Sequence, residues 1–221
     1  MKKILILFAI LAMPSIAYLL MRTGKNKYIT LETFGPKEPI TKTVNGKVVV
    51  DTIYHSVGGF SLLNSDSVMV TEKLIEGKIF VADFFFTTCS SICPKMSGQL
   101  MRVQYEYKDD SSVVILSHTV DPEHDTPSVL KEYSKKYEAI PGKWYFLTGD
   151  KKAIYDLARN NYFISATEGD GGKGDFIHSE QMVLVDKKKH IRGYYDGTDV
   201  RDVRRLMDEI KLLENEDDQS K

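Results

Sequence analysis

Residues Ile79 to Pro94 read IFVADFFFTTCSSICP and join an apolar run to the two cysteines of the chain, Cys89 and Cys93. The apolar run from Ile79 to Phe86 is interrupted only by Asp83, a pattern typical of a strand that is covered on both faces. A proline directly after Cys93 suits the first turn of a helix. The two cysteines are therefore predicted to lie on a turn between a buried strand and a helix.

Further strands and helices are predicted on both sides of this turn. Before it, Asn45-Gly46 within TKTVNGKVVVD predicts a hairpin with strands at Thr41–Val44 and Lys47–Val50, and a second hairpin turns near Asn64. After it, the pattern predicts strands at Val113–Val120, Trp144–Leu147, Gln181–Val185 and Ile191–Tyr195, and helices at about Pro94–Tyr107, Thr126–Tyr137, Asp150–Asn160 and Val200–Leu213. A β-α-β segment followed by a hairpin and a last helix predicts an α/β, thioredoxin-like fold with an added N-terminal β-hairpin.

The N-terminus carries a segment of a different kind. An uncharged apolar run from Ile4 to Met21 follows two lysines, which predicts a signal peptide or a single membrane anchor in residues 1–22. Residues 23–50 are predicted to hold a linker and the first hairpin, and residues 51–221 the folded domain with an acidic C-terminal tail. The predicted location is the extracytoplasmic, periplasmic side of the cytoplasmic membrane. The formal net charge of -1 argues against nucleic acid as a partner.

The cysteine pair has three possible roles: a structural disulfide, a redox couple or a metal clamp. A helix N-terminus favours thiolates, which are both nucleophiles and metal ligands. A disulfide between Cys89 and Cys93 closes a very short loop and therefore stabilises the fold little. Redox chemistry and metal binding remain the two leading alternatives.

A metal site needs ligands besides two thiolates, and the chain offers five histidines. These are His55, His118, His124, His178 and His190. His178 directly precedes a predicted strand, at a junction that a thioredoxin-like fold places beside the helix after Cys93. Two cysteines and one histidine suit Cu(I) and can also hold Cu(II). Zinc prefers a fourth ligand, and the chain has no third cysteine.

Four segments together resemble the Sco/SenC copper chaperones, which help to mature the binuclear copper centre of cytochrome c oxidase. They are DTIYH, VADFFFTTCSSICPKM, TVDPEHDTPSVLKEY and DFIHSEQMVLVD. The resemblance implies a thioredoxin-like fold, a membrane tether and copper ligands at Cys89, Cys93 and His178. One departure is His124, where family members commonly have arginine.

The leading hypothesis is a copper chaperone that delivers copper to the copper-centre subunit of cytochrome c oxidase, or reduces the cysteines of that acceptor site. A periplasmic copper donor or thiol reductant is a further expected partner. The alternative is an extracytoplasmic thiol-disulfide oxidoreductase or thiol peroxidase that uses Cys89 and Cys93. Residues 121–127 read DPEHDTP and are called the DTP segment. Asp125 is interpreted as a structural residue that helps to turn the chain and cap the following helix, and a role for Asp121 in supporting the site stays open.

Overall fold

The computed structural model describes residues 12–15, 18, 30–44, 46–164 and 179–218. The strands are β1 (Lys37–Val44), β2 (Lys47–Tyr54), β3 (Ser61–Asn64), β4 (Met69–Thr71), β5 (Ile79–Phe85), β6 (Val113–Thr119), β7 (Trp144–Thr148), β8 (Gln181–Val185) and β9 (Ile191–Asp196). The helices are α1 (Cys93–Glu106), α2 (Pro127–Lys136), α3 (Lys151–Asp156) and α4 (Val200–Asp218). A 3-10 turn follows β4 at Glu72–Ile75, and a π-helical turn follows α3 at Leu157–Asn161.

One mixed sheet organises these elements, in the strand order β4-β3-β7-β6-β5-β8-β9. The three central strands β5, β6 and β7 run parallel, β8 pairs antiparallel with β5, and β9 pairs antiparallel with β8. A βαβ crossover joins β5 to β6 through α1, as a parallel neighbour requires. The predicted α/β architecture is thus confirmed.

The central strands are buried because helices or loops cover both faces of the sheet. All seven residues of β5 and all seven of β6 are buried. On one face α1, α2 and α4 pack through Leu100, Leu130 and Leu206. On the other face α3 packs through Tyr155, and the segment after it packs through Tyr162. This two-sided burial explains why the strands read as largely apolar runs.

Two helix ends differ from the prediction. The helix expected to reach Asn160 is α-helical only to Asp156 and then widens into the π-helical turn. The terminal helix continues to Asp218, so its predicted end at Leu213 was wrong. The added turns carry Glu216, which accepts hydrogen bonds from Arg192 at 2.9 Å and from the Leu31 backbone N–H at 2.9 Å. The acidic composition of this stretch suggests a frayed tail, but the Arg192–Glu216 ion pair fixes it to β9.

The N-terminal predictions differ in outcome. The first hairpin forms, and each of its strands is eight residues long, extending beyond the predicted limits. The chain divides into two compact units, residues 1–30 and residues 31–221, and every described strand lies in the second. Among the described residues, no helix is both long and apolar enough to cross a membrane. Most of Ile4–Met21 lies outside the described residues, so the anchor or signal segment stays a prediction.

His118 is a core residue of β6 and not a surface histidine. Its ring stacks on Phe84 with centroids 4.9 Å apart and meets Phe60 edge-on. Burial lowers the pKa of this imidazole to about 4. The ring is therefore neutral at physiological pH and serves as apolar filling between the aromatic side chains.

We predict that His118 makes the stability of the fold fall as the pH drops from about 6.5 to about 4. The unfolded chain takes up a proton near pH 6.5, whereas the folded chain resists it until about pH 4, so unfolding is accompanied by proton uptake. The gap corresponds to roughly 3 kcal/mol. Urea unfolding of His118→Leu over this range should show a smaller loss than the wild type. Parallel losses in the two proteins would contradict the prediction.

Candidate metal centre

The two cysteines lie where β5 gives way to α1. After β5 the chain turns, with the Cys89 N–H donating to the Phe86 carbonyl at 3.2 Å, and α1 then begins at Cys93. Pro94 occupies the first turn of the helix, where a missing N–H costs no hydrogen bond. The Cys93 N–H points at the Cys89 Sγ, 3.5 Å away. The predicted strand-to-helix turn is therefore present, and a helix N-terminal N–H faces a sulfur.

The two thiols are free, and their surroundings differ sharply. Cys93 is 2% exposed, and burial raises its pKa to about 12, with further contributions from Cys89 and Asp83. Partial burial also acts to raise the pKa of Cys89, but hydrogen bonds from Cys93 and Ser91 outweigh it and lower that pKa to about 7. Cys89 is thus substantially thiolate at neutral pH, while Cys93 keeps its proton.

A buried carboxylate, Asp125, holds the segment that leads to Cys89. Its Oδ2 accepts the Thr87 backbone N–H at 3.0 Å and the Thr119 hydroxyl at 2.5 Å. Its Oδ1 accepts from the Thr87 hydroxyl and from the His124 Nδ1, the latter at 2.9 Å. The Asp125 side chain is completely buried, so these hydrogen bonds replace its lost hydration. Asp125 therefore joins the end of β6 to the loop before the cysteines.

The structural role predicted for Asp125 was to turn the chain and cap a helix, and the link to Thr87 was missed. Asp125 does precede α2, but Thr126 is the N-cap residue and its side chain makes no capping hydrogen bond. Asp121, whose supporting role was left open, acts through its backbone: its carbonyl accepts the N–H groups of His124 and Asp125. The sequence shows Thr87 two residues before Cys89 and Asp125 in the DTP segment. Neither residue reveals by itself that the other is its hydrogen-bond partner.

Beneath Cys93, a second carboxyl group is buried in β5. Asp83 is 1% exposed, and burial raises its pKa to about 7. It accepts a hydrogen bond of 2.5 Å from Ser117, which in turn accepts one of 2.8 Å from the Trp144 indole. A negative charge on Asp83 contributes to the raised pKa of Cys93. Asp83, the one charged residue of β5, thus begins a chain of buried hydrogen bonds that crosses β5, β6 and β7.

The third predicted ligand, His178, lies outside the described residues. Within residues 30–44, 46–164 and 179–218, no three His, Cys, Asp or Glu side chains are grouped closely enough to hold a metal ion. His124 is engaged by Asp125, which raises the His124 pKa through their hydrogen bond. His55 contacts the Asn161 carbonyl at 2.9 Å through its Nε2. Met96 and Met182 are fully buried and fill the core.

Comparisons with known proteins agree on one family. A family model described as SCO1/SenC matches residues 52–213. The SCO1 protein homolog of Bacillus subtilis is 28% identical over 167 residues, which cover 75% of this chain and 86% of the relative.

Solved structures are similar over the same region. BsSco, in which a disulfide switch was identified and which is a member of the Sco family of cytochrome c oxidase assembly proteins, superposes with a TM-score of 0.61 at 28% identity. That match covers 72% of this chain and 93% of BsSco. Arabidopsis thaliana ScoI with copper bound gives a TM-score of 0.57 at 30% identity, covering 72% of this chain and 99% of ScoI.

We predict that Asp125→Asn destabilises the protein by about 2 kcal/mol, because an amide cannot accept hydrogen bonds at both of its ends. Its NH2 group would face donors that the carboxylate now satisfies. Asp121→Asn is the matched control, since the described hydrogen bonds of Asp121 are made by its backbone. Urea unfolding measures both variants, and equal stability of the two would contradict the assigned role of Asp125.

We also predict that the two thiols react with iodoacetamide at very different pH values. In reduced, metal-free protein, alkylation of Cys89 should rise through a midpoint near pH 7, whereas Cys93 should stay largely unreactive below pH 9. Peptide mass spectrometry distinguishes the two sites. Cys93→Ala removes one hydrogen bond to the Cys89 sulfur and should shift the Cys89 midpoint upwards. Identical pH profiles for the two cysteines would show that the asymmetry is wrong.

Proposed function

The chain belongs to the SCO1/SenC family, and we propose that it is a copper-binding assembly factor for the copper centre of cytochrome c oxidase. The copper-bound structure of Arabidopsis ScoI supports copper as the cargo. The description of BsSco as a member of a family of cytochrome c oxidase assembly proteins supports the oxidase as the partner. The observation in this chain that carries the proposal is the pair of free, inequivalent thiols at a helix N-terminus.

The proposed ligands are Cys89, Cys93 and His178. Two thiolates and an imidazole form a soft donor set, which fits Cu(I) and also accommodates Cu(II). Cys89 is the entry ligand, because its low pKa supplies a thiolate at neutral pH and its sulfur is the more accessible. Cys93 is protonated at that pH, so copper must displace its proton on binding. Copper uptake at neutral pH therefore releases a proton from the buried thiol.

Loading and redox state are coupled in this proposal. Oxidation of the Cys89 thiolate and the Cys93 thiol to a disulfide removes two electrons and the proton of Cys93, and it withdraws both sulfur ligands. A dithiol reductant reverses the step by donating two electrons and one proton and is itself oxidised to a disulfide. The same pair can reduce a disulfide on the acceptor subunit: the Cys89 thiolate attacks one sulfur, and Cys93 then resolves the mixed disulfide. Copper delivery and thiol reduction are thus two uses of one site.

The proposed place of action is the extracytoplasmic face of the cytoplasmic membrane. The apolar segment Ile4–Met21 supports a single N-terminal anchor or signal segment. A domain held there can meet the copper-centre subunit of the oxidase, a periplasmic copper donor and a thiol reductant.

One observation favours a second candidate, an extracytoplasmic thiol-disulfide oxidoreductase or thiol peroxidase. An accessible cysteine of low pKa next to a buried cysteine of high pKa is an arrangement of nucleophile and resolving thiol. Steady turnover of a disulfide or peroxide by metal-free protein with a dithiol reductant, at a rate unchanged by His178→Ala, would favour this candidate over the copper chaperone.

We predict that the reduced chain binds one Cu(I) and that His178→Ala weakens binding at least roughly tenfold, because a three-ligand site loses one donor. Titration in competition with a chromophoric Cu(I) chelator measures the affinity. His55→Ala is the matched control and should bind as the wild type does, since His55 contacts the Asn161 carbonyl. Unchanged affinity of His178→Ala would mean that the three-ligand site is wrong.

A further inference from the structure

The β1–β2 hairpin stands apart from the main sheet and exposes apolar side chains. Among the described residues, β1 and β2 form a sheet of two strands with each other. Every residue of β2 is exposed, including Val48 at 72% and Val50 at 70%. A two-stranded hairpin is at best marginally stable alone in water. Its outer edges also offer N–H and C=O groups to another strand, apart from the Thr52 N–H, which donates to the Asp51 Oδ1 at 2.8 Å.

The two outer edges of the hairpin are not equivalent. A proline within a paired strand is tolerated where its nitrogen faces the free side, so the outer edge of β1 lacks a donor at Pro39. Strand β2 contains no proline, and its residues Lys47–Asp51 read KVVVD. The outer edge of β2 is therefore the better template for a further strand.

The sequence KVVVD is complementary to itself when two copies run antiparallel. A pairing centred on Val49 sets Lys47 opposite Asp51 of the partner subunit and Asp51 opposite Lys47 of the partner subunit. It also sets Val48 opposite Val50 of the partner subunit. Opposite charges and β-branched residues directly across a strand pair are both favourable. Sliding the register by two residues in either direction removes both pairs of opposite charges, so the charges specify one alignment.

We propose that a second copy of this chain pairs with the outer edge of β2, antiparallel and centred on Val49, to form a continuous four-stranded sheet of two hairpins. Within one copy, Asp51 already binds Lys42 at 2.6 Å across the hairpin. In the dimer the same carboxylate lies between Lys42 and the partner's Lys47. A strand from an unrelated protein would lack this reciprocal match of charge and apolar residues, which is why the occupant is a second copy.

The test is the association of the full-length chain in detergent micelles, measured by sedimentation velocity at several protein concentrations. The wild type should dimerise, and Lys47→Glu should weaken dimerisation roughly tenfold or more, because two attractive pairs become repulsive. Lys47→Arg is the matched control and should dimerise as the wild type does. Neither substitution alters the Lys42–Asp51 ion pair.

Mixing two variants tests the register itself. Chains with Lys47→Glu and chains with Asp51→Lys should each be impaired alone, yet associate with one another when mixed, because both cross-strand pairs regain opposite charges. Circular dichroism checks that each variant keeps the wild-type fold. A monomeric wild type, or a Lys47→Glu chain that associates as the wild type does, would overturn the proposal; the second result would assign the contact to another part of the chain. Mixed variants that are folded yet fail to associate would overturn the register.

Discussion

The parallel pairing of β5 with β6 is the constraint on which the candidate site depends. It aligns the two strands from Ile79 opposite Val113 to Phe85 opposite Thr119. Since the carboxyl ends of parallel strands meet at the same edge of a sheet, the cysteine turn and the DTP segment emerge side by side. Asp125 then bridges the two loops by hydrogen bonds to Thr87 and Thr119. A different register would separate these partners and leave a charged carboxylate buried without donors.

The same framework makes the two thiols chemically distinct. Cys93 begins a helix whose apolar face is buried against the sheet, so its sulfur is enclosed together with Asp83. Cys89 lies on the preceding turn, where the N–H of Cys93 and the hydroxyl of Ser91 face its sulfur. Desolvation dominates at one cysteine and hydrogen bonding at the other. Their different pKa values follow from positions only four residues apart.

The parts of the fold that could be predicted are those whose signals lie within one short stretch of sequence. The strands β5 and β6 were predicted to within one residue, because a largely apolar run identifies a strand buried on both faces. The predicted end of α4 was wrong because Glu216 is held by Arg192, which lies on β9. The link from Asp125 to Thr87 was missed because the two residues are 38 positions apart. Such contacts depend on the register of a sheet, which a single sequence does not display.

The sequence alone determined the strand-to-helix turn that carries Cys89 and Cys93, the α/β architecture and the nomination of His178 as the third ligand. Apolar periodicity, proline and paired thiols are local features, so a sequence reveals them directly. Only the tertiary structure decided that Asp125 anchors the cysteine loop, that His118 is neutral core filling and that one thiol is acidic while the other is not. These properties arise from burial and from donors supplied by distant segments, and both exist only after the chain has folded.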